Sequence, residues 1–183
     1  EWEWEKAKRG YVRAGAGNYG NVDFKAGYIW DITKGDRLNV ATSLDGMNGT
    51  LKDAIDNDWK SRFYSSSFNI GYRHSFRNMD LNLGGGFHSR VFNYMLSPIS
   101  SISGENDKQH HTLGDFYVGL SSTDEMMPLQ FTVQTGFQYF KQKYPAISDE
   151  NSTEKIIHTA GDVWGKLSDI QRVGIKFEMD NLF

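Results

Sequence analysis

Between Phe63 and Phe92 the chain alternates apolar and polar residues with a period of two, and no other feature restricts its fold as much. Tyr64, Phe68, Ile70, Tyr72 and Phe76 share one parity, while Ser65, Ser67, Asn69, Gly71, Arg73 and Ser75 share the other. Successive side chains point to opposite sides of a strand, so this spacing predicts a sheet with one apolar and one polar face. Arg77, Asn78 and Met79 interrupt the pattern, which resumes with Leu81, Leu83, Phe87 and Val91 opposite Asp80, Asn82, His88 and Arg90. The two halves read as a tight hairpin. Its arms exceed the ~5–6 residues usual for a soluble strand and approach the ~9–11 of a membrane-spanning one.

The same unit recurs along the chain. Gly10 to Gly17 is a glycine-rich strand, and in Val22 to Ile32 the residues Val22, Phe24, Ala26, Tyr28, Trp30 and Ile32 oppose Asp23, Lys25, Gly27 and Asp31, with Ile29 the exception. Leu38, Val40 and Leu44 mark a third strand over Arg37 to Met47, and Phe116, Val118 and Leu120 a sixth. Leu129, Phe131, Val133, Phe137 and Tyr139 mark a seventh, Ile157 to Leu167 an eighth, and Val173, Ile175, Phe177 and Met179 a ninth. The predicted fold is all-β. It is an antiparallel up-and-down meander of about 8–10 long strands, part of a transmembrane β-barrel, in a single domain over the whole chain. Glu1 to Arg9 reads as the tail of a preceding strand or a frayed terminus.

Connections alternate in length. Short turns at 33–36, 77–79, 122–128 and 168–169 take turns with long polar loops at Asn48 to Lys60, Met95 to His111 and Lys143 to Lys155, which places all the long loops at one end of the sheet. Outer-membrane barrels have this asymmetry. Trp30 and Phe76 adjoin short turns, and Tyr64, Phe92, Tyr94, Tyr139, Phe140 and Tyr144 lie toward long loops, as two interfacial girdles require.

Composition narrows the functional classes. With 20 basic and 23 acidic residues spread along the chain there is no basic stripe to neutralise phosphates of nucleic acid, so nucleic acid is not an expected partner. The absence of cysteine removes disulfides, thiolate metal sites and cysteine nucleophiles. No apolar run approaches the ~18 residues of a membrane helix. The start at Glu1, with no signal-like segment, suggests a removed signal or a fragment. A content of 14% aromatic residues and 19 glycines with only 38% hydrophobic residues suits strands that need one apolar face better than a two-layer core.

The segments GNYGNVDFKAGYIWDI, RLNVATSLDGMNG, PLQFTVQTGFQYFKQKYP and DIQRVGIKFEMDNLF resemble consecutive barrel strands of TonB-dependent receptor-like outer-membrane proteins of Gram-negative bacteria. The resemblance implies location in the cell outer membrane, contact with outer-membrane lipid, and nutrient uptake or transport. That family closes ~22 strands around an amino-terminal plug, and an inner-membrane energy-coupling complex drives uptake. Nine strands without a plug imply an excised portion of such a protein.

The candidate lumen-facing residues are the charges on the polar parity: Arg13, Asp23, Lys25, Asp31, Asp45, Arg73, Arg90, Lys176 and Glu178. The candidate lipid-facing residues are Phe24, Tyr28, Trp30, Phe68, Ile70, Phe131 and Val133. Other motifs read structurally. His110-His111 reads as solvated loop, Asp53, Asp56 and Asp58 lack the glycine and glutamate of a calcium loop, and Gly84-Gly85-Gly86 inside a strand marks a bend or close strand approach. No nucleophile motif is present, so no enzyme activity, metal or cofactor is expected. Two alternatives keep the sheet but change its role. One is a soluble β-barrel holding a small apolar ligand inside, which the mean hydropathy of -0.58 favours. The other is a surface-exposed adhesion or binding module acting through its loops.

Overall fold

The computed structural model describes residues 9–52, 58–93, 108–143 and 151–183, with the exception of 169. They form one sheet of nine strands joined as a meander, each pairing antiparallel with the next in chain order. The strands are β1 (Gly10–Ala16), β2 (Val22–Asp31), β3 (Asp36–Lys52), β4 (Asp58–Ser75), β5 (Met79–Asn93), β6 (Lys108–Ser122), β7 (Leu129–Lys143), β8 (Asn151–Lys166) and β9 (Arg172–Leu182). A single 3-10 turn, Asn18–Gly20, joins β1 to β2. Tyr19 and Gly20 both take positive φ there, 61° and 64°, which makes the reversal tight.

The strands run further toward the loop end than the alternation predicts. Asn48 to Lys52 pairs with Asp58 to Arg62, so most of the polar loop expected at Asn48 to Lys60 is hairpin. Lys108 to His111 belongs to β6, and Asn151 to Lys155 to β8. The remainders of the three expected loops, 53–57, 95–107 and 144–150, lie outside the described residues, as do Glu1 to Lys8. Periodicity locates a strand only while its two faces differ in polarity. Beyond Tyr64, Leu44 and Tyr139 the contrast between the faces is lost, with Asn48, Arg62 and Lys141 on the apolar side and Met47, Phe63 and Phe140 on the polar side, and the backbone ladder continues without the signal that would reveal it.

Register settles the faces. Following paired residues across the sheet, Tyr28, Val40, Ile70, Gly85, Phe116, Phe137 and Ile157 lie on one line and one side. Phe24, Tyr28, Trp30, Phe68, Ile70, Phe131 and Val133 all share that side. Arg13, Asp23, Lys25, Asp31, Asp45, Arg73, Arg90, Lys176 and Glu178 all share the other.

The ladder is also staggered. Asp31 at the end of β2 is level with Arg73, Asn82, Gly119, Gln134 and Ala160, yet β8 runs on to Lys166, six residues beyond Ala160 and six strands from β2. Six residues at ~3.3 Å against six strand steps at ~4.8 Å give a tilt of about 35°, within the range that barrel closure demands. Among the described residues β1 and β9 each pair on one side only, so the sheet has two open edges.

No hydrophobic residue among those described is buried, and the sheet covers neither of its faces with a second layer. The apolar face is the more exposed in the central strands. On β4, Tyr64, Phe68 and Ile70 are 37%, 45% and 43% exposed, whereas Ser61 on the polar side is 7% exposed and Ser65, Ser67 and Asn69 are half-buried. Gln109 and Gln130, the other buried polar side chains, also lie on the polar side. The abundance of glycine and of aromatic rings has a shared cause. A Cβ on Gly46 would come within 2.5 Å of the Tyr64 ring, and one on Gly161 within 2.3 Å of the Phe177 ring, and each glycine is the direct cross-strand partner of that ring. Gly84 stands likewise beneath Tyr117, its partner, so the glycine run marks a close approach and carries no phosphate loop.

Candidate functional site

The polar face carries the chemistry that this sheet offers. Because β2 and β3 hold their charges at alternate positions, neighbouring strands bring opposite signs together near the β1–β2–β3 corner. Arg13 Nη2 lies 2.8 Å from Asp23 Oδ2, with Lys25 directly across from Arg13 and Asp45 across from Asp23. At the opposite end Arg37 Nε donates to Asp31 at 2.8 Å, and Arg9 stands 3.5 Å from the same carboxylate. Arg73 faces Arg37 across β3 and β4. These pairs are solvent-exposed, so each is worth ~0–1 kcal/mol and serves as a hydrated surface of mixed sign.

A recess of about 320 Å³ lies on the same face toward the loop end, lined by Ser65, His88, Arg90, His111, Leu113 and Phe140. Register assembles it, with Ser65, Arg90, His111 and Gln142 on one level and His88, Leu113 and Phe140 on the next. The His111 ring meets Phe92 edge-on at 5.0 Å and Phe140 at 5.9 Å, and its Nε2 is 2.7 Å from Gln142 Nε2. His88 Nε2 is 3.9 Å from Asp115. The recess therefore offers a guanidinium, two imidazoles and aromatic edges to a solute.

At the other side of the sheet Lys176 pairs across from Asp162, and Glu178 stands beside the His158–Asp180 pair, whose Nδ1 and Oδ1 are 2.5 Å apart. The ligand atoms of His158, Glu178 and Asp180 lie within 4.8 Å of one another, and among the described residues only this group could hold a metal ion in that way. On the apolar side, where the β2–β3 turn ends the band, Asp36 accepts from Thr33 at 2.5 Å and Tyr72 at 2.6 Å and contacts His74.

Of the predicted lumen residues the structure joins Arg13 with Asp23, leaves Lys25 and Asp45 next to them, and gathers Glu178 toward His158. Arg73, Arg90, Asp31 and Lys176 stand apart from that corner, and only Arg90 reaches the recess. Sequence reasoning put His88 on the polar parity and read His111 as loop but gave neither a site role, and it did not single out Gln142 or Gln130, because only Asp, Glu, Lys and Arg counted as candidates. Two expectations are corrected. His110 and His111 are strand residues on opposite faces and cannot chelate together. Phe92 and Phe140, expected on one face with Tyr64 and Tyr139, instead flank His111 on the polar face, while Tyr64 and Tyr139 lie on the apolar side. Tyr94 and Tyr144, and of the acidic trio Asp53 and Asp56, lie outside the described residues, and Asp58 is the first residue of β4.

No protein-family model matches the chain, and no curated protein matches it.

Proposed function

We propose that the chain is a segment of a transmembrane β-barrel of the outer membrane that lets polar solutes pass along its charged face, as in nutrient uptake by the TonB-dependent receptors its strands resemble. One observation carries the reading: the continuous apolar face is the exposed one, and the buried polar side chains and the charged recesses lie on the polar face, while the recess on the apolar side is lined by Val12, Ala26, Tyr28, Trp30 and Val40. A soluble barrel built around an apolar ligand distributes its residues in the opposite sense. On β4 the apolar parity runs from Tyr64 to Tyr72. Eight residues at ~3.3 Å, tilted by about 35°, make a band ~22 Å tall, close to the ~25 Å of outer-membrane barrels. Lipid does not tolerate unpaired strand edges, and β1 and β9 run in the same direction, so the reading calls for further strands that pair with both. A plug and an inner-membrane energy-coupling complex are the partners this function implies.

The chain has no cysteine, so single cysteines carry a nitroxide label cleanly. In vesicles, labels at Phe68→Cys and Ile70→Cys should collide readily with dissolved oxygen and little with a water-soluble nickel chelate, and labels at Ser67→Cys and Asn69→Cys should do the reverse. Low collision with both reagents at Phe68 and Ile70 would mean a protein core and would sink the membrane reading.

A further inference from the structure

We propose that the loop-side rim of the apolar face binds the phosphate groups of lipid heads through a row of lysines on β6, β7 and β8. This rests on the reading of the apolar face as lipid-facing. The residues that close the apolar parity at the loop end bring lysines together: Lys141 follows Tyr139 on that face, Lys155 precedes Ile157, and Lys108 opens β6, with His110 next to it on the same face. Lys143 is the direct cross-strand partner of His110, and Lys141 is two residues from it on the same face. Across the β7–β8 ladder Lys155 faces Tyr139 and so stands diagonal to Lys141. Direct and diagonal neighbours in a sheet lie ~5 to 8 Å apart, a spacing at which like charges repel and one dianion can bridge two ammonium groups.

Nothing within the described sheet answers this charge. The neighbouring acids Asp115, Glu154 and Asp180 lie on the polar face, and none of the four lysines takes part in an ion pair among the described residues. The polar face, by contrast, pairs Arg13, Arg37 and His158 with carboxylates. The row also follows the tilt of the strands. Its first member after the apolar run comes earlier in the ladder on β8 than on β7, as the stagger requires if the cations keep one height above a flat bilayer. At the turn end the strand residues of the apolar face include no lysine or arginine, and the band finishes on Trp30, Tyr72, Leu81, Leu129 and Val173. The cations thus mark one leaflet. Lysine suits the place because its stem can lie along the apolar rim while the ammonium reaches the head groups.

The test reconstitutes the chain into vesicles of phosphatidylcholine containing phosphatidic acid and measures, by mass spectrometry after gentle detergent extraction, which lipid remains bound. The wild type should retain phosphatidic acid preferentially. Lys141→Gln with Lys143→Gln should cut that preference about 30-fold, at about 1 kcal/mol for each surface cation, and the charge-matched Lys34→Gln with Arg77→Gln in the short turns should keep it. Equal loss in both double variants would reduce the effect to net charge and overturn the proposal. An unchanged preference in the first would do the same. Displacement of the bound lipid by millimolar inorganic phosphate alone would assign the row to free phosphate and refute the lipid claim. Insertion is scored separately by resistance to alkaline extraction. Proteins that insert without preference sink this proposal only, and failure of the wild type to insert removes the membrane reading along with it.

Discussion

Phe68 sits midway between Tyr64 and Tyr72, the ends of the apolar run on β4, with its ring 45% exposed on the apolar side. Four residues of tilted strand separate it from either end of the apolar run, or ~11 Å, so on the proposed membrane reading Phe68→Arg would bring a charge to the centre of the bilayer. The cost there is roughly 2 to 4 kcal/mol, or about a 30- to 800-fold loss in the folded-to-unfolded ratio. Val133 occupies the same part of β7, between Leu129 and Phe137 on its face, and Val133→Arg should cost about as much. Truncation separates lipid from protein. In lipid the acyl chains close over the missing ring, so Phe68→Ala should lie near Phe68→Leu, whereas a packed interior would charge ~3 to 5 kcal/mol for the cavity. Asn69→Arg and Gln134→Arg, on the polar face, enter water and should cost far less. Urea titrations of the vesicle-inserted protein, followed by tryptophan fluorescence, measure all of these. The reasoning fails if alanine is nearly as damaging as arginine at both Phe68 and Val133.

Three further outcomes follow from the geometry. Gly46→Ala should destabilise by about 1 to 3 kcal/mol, because its new Cβ meets the Phe63 carbonyl at 2.7 Å as well as the Tyr64 ring, while Gly114→Ala, with nothing within 4 Å, should be neutral or slightly stabilising in the same titration. Gln130 accepts from the Ser122 hydroxyl at 2.7 Å and donates to the carbonyls of Asp124 and Met127 at 2.5 and 3.2 Å. Gln130→Ala should therefore cost about 1 to 3 kcal/mol and speed hydrogen exchange at the β6–β7 turn, and protection unchanged there would disprove its bracing role. Asp31→Asn removes only exposed pairing with Arg37 and Arg9, so its melting temperature should match wild type within the effect of at most ~1 kcal/mol, and a larger drop would show that the corner is structural.

The faces of this sheet were legible because polarity alternates wherever the apolar band runs, and every residue expected on either side lies there in the ladder. Strand ends were not. Thr50, Lys52, Lys108 and Lys155 pair as regularly as Ile70 does, but polar residues on the apolar side and Met47, Phe63 and Phe92 on the polar side break the period of two. The recess was hidden for another reason. His88 and Phe140 come from strands more than forty residues apart, and only the register across β5, β6 and β7 puts them side by side. Phe92 and Phe140 misled because closeness to a loop says how high an aromatic residue sits and nothing about which face it takes, which parity alone decides.

The glycine and ring partners bear on how such a sheet avoids assembling wrongly. A strand that slips by two residues keeps every apolar side chain on the apolar side, so the polarity of the faces gives no means of rejecting the error. At β3–β4 such a slip would set the Tyr64 ring against Leu44 or Asn48 in place of Gly46, and at β8–β9 it would set Phe177 against Thr159 or Val163 in place of Gly161. Each ring would then strike a side chain where it now has bare backbone. At these two positions the glycines leave room for the ring in the observed register, a steric preference that hydrophobicity alone does not provide.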